Sequence, residues 1–260
     1  MLIRALEQLY ALGALNDRGE LTRLGRRMAE FPIDPLLAKT IIASEQYKCI
    51  DQVVTICAML SVGNSIFFRP KDKAMHADNA RVNFYRPGGD HLALLNAYTQ
   101  WAETNYSAQW CFENFIQIRS MRRARDIKEQ ILDLCERVEI DAKDPALSVF
   151  EDDFNTNIRK CFVAGFFYNV AKLSRNGVYK TIKNGHSVQI HPSSLLFKDP
   201  PDWVIYHELV FTSKEFMRNV LEIKGEWLRE IAPHFIKESD LREQKKKMPK
   251  KTGLAEMRNQ

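Results

Sequence analysis

The chain has 260 residues, 45% of them hydrophobic and 27% charged, with 38 Lys or Arg against 33 Asp or Glu for a formal charge of +5. That length and apolar content support two or three compact units with buried cores, but the charge excludes a globally basic surface. Eight Lys or Arg and four Asp or Glu lie between residues 237 and 260, a local +4 that leaves residues 1–236 at only +1, so any face that binds a polyanion must be local. Leu2, Ile3, Leu6, Leu9 and Tyr10 then predict an amphipathic helix running to about Ala14. It begins without an upstream cap, as expected of a piece cut from a longer protein. Asn16, Asp17 and Gly19 supply turn chemistry, and Leu21 restarts the apolar pattern. A helix and short hairpin over residues 1–34 are either the rear half of a winged helix or a plain helical hairpin.

From Pro35 to about Val138 the pattern is helical, interrupted by a loop from Gly63 to about Lys73 and by Pro87-Gly88-Gly89. This predicts a helical bundle over residues 35–140. Within it, Trp110 to Gln130 reads as one helix. Met121, Ala124, Ile127, Ile131, Leu134 and Val138 share one arc, and Arg119, Arg122, Arg123 and Arg125 lie roughly opposite. Two readings stand side by side. Asp126 and Glu129, four residues after Arg122 and Arg125, can make the row an ordinary solvated face. Alternatively, planar and permanently charged guanidinium forks suit the phosphates of a nucleic-acid backbone. The segment FFRPKDK, residues 67–73, joins aromatic surface to Arg69, Lys71 and Lys73, which is either the chemistry of single-strand binding or a solvated interhelical loop.

Residues 141–154 are acidic and interrupted by Pro145, which predicts a linker. A helix from Asn157 to Ala171 follows. Short β-prone runs then come at VYKTI, SVQIHP, WVIYHELVFTS and MRNVLEI, with Asn176-Gly177 and Asn184-Gly185 as turns and a helix at Glu226–Ile231. Residues 155–236 are therefore expected to form a small antiparallel barrel of the oligonucleotide-binding (OB) fold. At its rims stand His191, Ser193 and Ser194, and Thr212, Ser213 and Lys214. Such groups contact phosphates and riboses, and they also serve as turn and cap residues. His207 and Glu208 point to opposite strand faces and read as structural. Residues 237–260 are lysine-rich and too poor in apolar surface to order alone; the KKKMPKK run can serve as a nuclear address.

No G-x-x-x-x-G-K-[ST] phosphate loop, G-x-S-x-G elbow or H-E-x-x-H helix occurs, so no ATP hydrolysis, catalytic residue, metal site or cofactor is expected of this chain by itself. Five cysteines without C-x-x-C spacing read as core thiols in a reducing compartment. No signal peptide opens the chain, and no apolar run nears the roughly 20 residues of a membrane helix, so no membrane partner is expected.

The segments LYALGALNDRGELTRLGRRMAEFPIDPLLAKTIIAS, MLSVGNSIFFRPKDK, GDHLALLNAYTQWAE, ENFIQIRSMRRARDIKEQ, IHPSSLLF and WVIYHELVFTSKEFMR occur in that order. Together they resemble the C-terminal domains of DEAH-box RNA helicases across nearly all of residues 1–236. HADNARVNFYRPGGDHLALLNAYTQWAE and PHFIKESDLREQKKKMPKK are most similar to the pre-mRNA-splicing branch that remodels the activated spliceosome before the first transesterification. The resemblance implies a mixed α and β fold: a partial winged helix, a ratchet-like helical bundle and an OB-fold barrel. It implies a 3′-to-5′ translocating RNA-dependent ATPase whose RecA-like motor domains, with their ATP and Mg, lie upstream. These C-terminal domains would wall a single-stranded RNA channel, carrying RNA-facing roles at Arg69, Lys71, Asn114, Arg119, Arg122 and Arg123 on the bundle and His191, Ser193, Ser194, Thr212 and Lys214 on the barrel. A G-patch activator docking on the winged helix, contacts with other spliceosome proteins and a nuclear location are implied as well. The alternative is a protein–protein scaffold of the spliceosome with little RNA affinity of its own.

Overall fold

The computed structural model describes residues 2–63, 65–141, 151–212 and 214–237, without the side chains of residues 151–154. The lysine-rich segment from residue 238 onward, most of the expected linker and Ser213 lie outside the described residues. Helix α1 (Leu2–Ala11) leads into a tight hairpin in which the Asn16 side chain accepts from the amides of Arg18 and Glu20 and Leu15 bridges Leu21. Thr22 then caps α2 (Arg23–Ala29): its hydroxyl accepts from the Gly25 amide at 3.0 Å and donates to the Gly13 carbonyl at 2.6 Å. One residue thus starts a helix and fastens it to the preceding turn.

The bundle follows as α3 (Pro35–Tyr47), α4 (Ile50–Ser61), α5 (Ala74–Val82), α6 (Asp90–Glu103), α7 (Ala108–Glu113) and α8 (Ile118–Arg137). Asp34 caps α3 by accepting from the Leu36 amide, with Pro35 at the first helical position where its missing N–H costs nothing. Helix α4 sits centrally between α3, α6 and α8, and Ile50 and Val53 to Leu60 are all buried. The five cysteines are buried and free; Cys49 and Cys161 approach to 3.5 Å between sulfurs, and burial pushes the Cys161 thiol up.

Helix α9 (Glu151–Phe166) differs from its expected span, starting inside the stretch read as a linker and ending earlier. A 3-10 turn at Phe167–Asn169 separates it from β1 (Val170–Leu173), whose first two residues fall within the helix expected from the sequence. Periodicity cannot divide a continuous apolar run such as CFVAGFFYNVA between buried helix and buried strand; pairing of Val170–Leu173 on both sides decides it. Although α9 adjoins the barrel in sequence, Ile158, Cys161, Phe162 and Phe166 lie in the bundle core.

Strands β1, β2 (Tyr179–Thr181), β3 (Ser187–Ile190), β4 (Trp203–Phe211) and β5 (Glu215–Glu222) close into a barrel in the order β1-β2-β3-β5-β4. Gly177 and Gly185 take the positive φ their turns require. Every pairing is antiparallel except β3 with β5, which is parallel through Gln189–Phe216 and Ile190–Met217. The expected small barrel is present, and only that seam departs from antiparallel pairing: the connection after β3 carries β4 round to β1, so β5 returns beside β3 in the same direction. Alternation along the strands splits their burial between two cores. Val204, Met217 and Val220 fill the barrel, whereas Ile205 and Leu221 join the bundle core with Trp227 and Leu228 of α10 (Gly225–Ile231).

The Pro87-Gly88-Gly89 break is the joint between the two halves. The Gly88 carbonyl accepts from the Glu222 amide at 2.7 Å, and Gly89 bridges Leu221 with φ +118. A Cβ at position 89 would stand 2.5 Å from the Val220 carbonyl, so only glycine permits this approach. Immediately beyond, the buried Asp90 carboxylate accepts from the Leu195 and Val220 amides, both at 2.8 Å, and from the Ser194 hydroxyl. Burial still raises the Asp90 pKa, since desolvation outweighs these bonds.

Its neighbour His91 is completely buried edge-on to Phe162 at 4.7 Å, and burial followed by the nearby His207 pushes its pKa down to about 3. The folded protein therefore refuses a proton that the unfolded chain takes up near pH 6.5. Stability present above that pH is lost as pH falls from 6.5 toward 3, at up to about 1.4 kcal/mol per pH unit for this group. Urea denaturation between pH 7 and pH 5 should show that slope, and His91→Phe should flatten it by about one proton. An unchanged slope in the variant would assign acid sensitivity elsewhere.

Candidate nucleic-acid interface

The Arg-bearing segment is two helices rather than the single one expected from Trp110 to Gln130. Helix α7 ends at Glu113, Asn114 caps it by donating from Nδ2 to the Trp110 carbonyl at 2.9 Å, and Phe115 turns the chain at φ +54. Residues 115–117 then run beside 66–68. The Phe68 amide donates to Phe115, the Gln117 amide donates to Ile66, and Phe67 bridges Ile116. These long-range backbone bonds replace the helical ones that periodicity anticipates.

The break brings the FFRPKDK loop to the start of α8, so the segments carrying Arg69, Lys71, Asn114 and Arg119 share one end of the bundle. The Phe68 and Phe115 rings pack at 5.7 Å, and Phe112 nearby is 69% exposed. Along α8, Met121, Ala124 and Ile131 are buried, while Arg119, Arg122 and Arg123 are exposed and form no ion pair among the described residues. The Arg122–Asp126 pair suggested by spacing does not form. Arg125 is different: it lies over the Tyr106 ring at 4.9 Å and 3.8 Å from Glu129, a structural engagement.

Arg69 is also engaged. Its Nε and Nη2 donate to the two Asp78 oxygens at 2.7 and 2.9 Å, which raises the Arg69 pKa and lowers that of Asp78. Both partners are largely exposed, so a phosphate can compete for this fork. Lys71 is exposed.

On the barrel, the His191 amide donates to the Met217 carbonyl, extending the parallel seam by one bond. Its Nδ1 accepts from the Ser193 amide at 3.1 Å and lies 2.7 Å from the Ser193 hydroxyl, leaving the ring proton on Nε2. Partial burial, then the Arg218 and Arg81 cations, hold its pKa below the usual value. Ser193 is exposed, but Ser194 is buried, bonded to Asp90 and accepting from the Leu196 amide; this structure assigns it to the joint. Thr212 and Lys214 sit exposed at the β4–β5 hairpin tip, the Thr212 amide donating to Lys214. At about 3.3 Å per residue, Lys214 at that tip lies only about 10 Å along β5 from Met217, the residue that accepts from the His191 amide.

Sequence reasoning passed over Arg81 and Arg218. Arg81 stands in α5 with its guanidinium over Phe67 at 4.8 Å, and Arg218 stands on β5 beside the His191 turn. No spacing rule links residues 81 and 218, whose cations both lower the His191 pKa. No metal-binding group of three or more His, Cys, Asp or Glu occurs among the described residues, and none of their helices is long and apolar enough to cross a membrane.

Residues 5–33 match the winged-helix part of the helicase associated domain (HA2), residues 34–94 its ratchet-like part, and residues 158–236 an oligonucleotide/oligosaccharide-binding fold. In this order they indicate the C-terminal region of a DEAH/RHA-type helicase. The chain is thus a helicase-associated module whose domains point to nucleic-acid binding.

Proposed function

We propose that this chain is the C-terminal RNA-contacting and partner-docking module of a spliceosomal DEAH-box helicase, in which bundle and barrel line one side of a single-stranded RNA path. The observation that carries this reading is the row Arg119, Arg122 and Arg123: exposed, unpaired among the described residues and set beside an aromatic-rich loop junction. Spacing offers carboxylates to Arg122 and Arg125, and α8 uses only the one at Arg125, which leaves the three other forks open to a phosphate. On this reading Lys71, Asn114, His191, Ser193, Thr212 and Lys214 also face the RNA, with Arg69 exchanging Asp78 for phosphate. ATP and Mg belong to motor domains outside this sequence, and the working location is the nucleus.

Partner docking has its own support. Leu2 and Ile3 are 74% and 73% exposed on α1, with Leu6 and Tyr10 on the same helix, a face suited to a G-patch activator or another spliceosome protein. That surface also favours the scaffold reading, in which the chain engages proteins and binds RNA negligibly.

Fluorescence anisotropy with a labelled oligouridylate separates the two. The chain should bind with salt-dependent affinity, and Arg119→Ala combined with Arg123→Ala should lower the log–log salt slope by roughly one unit per lost phosphate contact. The melting transition should stay put, because the buried arc of α8 is untouched. Absence of salt-dependent RNA binding by the folded wild-type chain would favour the scaffold.

A further inference from the structure

Lys39, Ile42, Ala43 and Gln46 follow the i, i+3, i+4, i+7 spacing of one helix face on α3, and that face borders a cavity of about 570 Å³. The apolar walls are Leu12, Ile42, Ala43, Ala164, Phe167 and Ile231, so the ends of α1, α9 and α10 close around it. His234 ties two of those ends together, its Nε2 donating to the Ala11 carbonyl at 3.0 Å. All three matched parts meet here: the winged helix at Leu12, the ratchet-like bundle at Lys39, the OB fold at Phe167 and Ile231. The volume is that of a pocket for a small organic group. Lys39 is half-buried, and its amine makes no hydrogen bond or ion pair among the described residues. Burial alone holds its pKa below the ordinary value, so no carboxylate acts on it. The two acids that line the cavity are committed elsewhere, Glu45 to Arg27 at 3.0 Å and Glu230 to Lys160 at 2.8 and 3.0 Å. Burial pushes the Tyr47 phenol up to about 12, which keeps it a neutral donor at pH 7.

We propose that this cavity binds an organic carboxylate with a compact apolar body, the carboxylate seated on the Lys39 ammonium. A partly desolvated cation without a counter-ion gains most from an anion that arrives with its own apolar surface. A phosphate monoester fits less well, since its second charge would find no second unpaired Lys or Arg in these walls and would meet Glu45 and Glu230. A single carboxylate needs one ammonium, while Leu12, Ile42 and Phe167 take the apolar body. The carboxylate can belong to a free acid or to an Asp or Glu side chain with apolar neighbours in a peptide; the chemistry at Lys39 is the same. A ligand there touches all three matched parts, so occupancy fastens the winged-helix part to the OB fold. The site is independent of the RNA path proposed above.

The test follows the lysine Cε signals of the 260-residue chain by NMR. The probes are 4-phenylbutyrate as a free acid and the capped tripeptide acetyl-Leu-Glu-Leu-amide, with 4-phenylbutyramide as the uncharged control. The free acid should shift the Lys39 signal saturably and raise the midpoint of its pH titration, because an adjacent carboxylate favours the charged amine. The amide should do neither. Lys39→Met should weaken acid binding, read in the probe's own NMR lines, roughly tenfold, the scale of one lost charge-assisted hydrogen bond. The thermal midpoint should not fall, since Met keeps the apolar stem. If Lys39→Met does not fold, Ala43→Leu, which fills the cavity and keeps the amine, should abolish the Lys39 shift. A response to the tripeptide but not to the free acid keeps the site and assigns its carboxylate to a protein partner. No Lys39 response to either probe, an amide that binds as well as the acid, or acid binding unchanged in Lys39→Met overturns the proposal.

Discussion

Replacing Asp90 with Ala is expected to lower the unfolding free energy by about 3–4 kcal/mol. The carboxylate is the acceptor for the Leu195 and Val220 amides and the Ser194 hydroxyl, and the truncated side chain leaves these donors buried in an apolar joint. Each unsatisfied buried donor costs roughly 1–3 kcal/mol. Relief of the desolvation that raises the Asp90 pKa returns part of that sum. Asp90→Asn should cost about half as much, since one oxygen still accepts while the new NH2 group faces an amide donor. Urea unfolding at pH 7 with an unchanged m-value measures both. A loss below about 1 kcal/mol for the Ala variant would mean that the joint is held by Gly88, Gly89 and apolar contact alone.

Gly165→Ala is the second large effect, and its sign separates two physical accounts. Helix propensity alone favours Ala over Gly within a helix by about 1 kcal/mol. Here a Cβ would collide with the Thr40 hydroxyl and the Leu36 carbonyl of α3, and Thr40 is itself bonded to that carbonyl at 2.8 Å. A backbone atom cannot swing aside, so α3 and α9 must separate, at a cost on the scale of overpacking, roughly 1–3 kcal/mol or more. The expected net change is a loss of about 2 kcal/mol, visible as a lowered thermal midpoint in calorimetry. A stabilised variant would show that α9 does not approach α3 as closely as this packing requires.

The division into helical bundle and small barrel was legible because both signals are local. The apolar arc of α8 and the Asn-Gly turns before β2 and β3 each sit within a few residues of the structure they specify. What sequence could not show depends on contacts between distant segments. The α7–α8 break exists because residues 66–68 offer backbone partners to residues 115–117. The parallel β3–β5 seam follows from how the chain closes the barrel, and β1 was hidden in an apolar run that suits helix and strand equally.

The candidate interface divides in the same way. Exposure of Arg119, Arg122 and Arg123 opposite the buried arc followed from periodicity, and the engagement of Arg125 with Glu129 from i,i+4 spacing. The same spacing failed at Arg122, because surface pairs of this kind are worth too little to be dictated by it. The Arg69–Asp78 fork crosses nine residues from a loop to a helix, and Ser194 is turned inward by Asp90, more than a hundred residues earlier. Neither relation leaves a local pattern. Pro87-Gly88-Gly89 was visible as a helix break, whereas its function as the joint appeared only with the proximity of Val220 and Leu221.

The proposed RNA-facing role of this surface is tested most directly by photocrosslinking a 4-thiouridine-substituted oligouridylate to the 260-residue chain, followed by peptide mapping. Crosslinks should concentrate in residues 65–73 and 110–123, where Phe68, Phe112 and Phe115 adjoin the arginine row, with further sites near residues 191–193. They should fade as salt weakens binding. Crosslinks confined to α1 and α2, or an oligouridylate that leaves both bundle segments unmodified while bound, would contradict it.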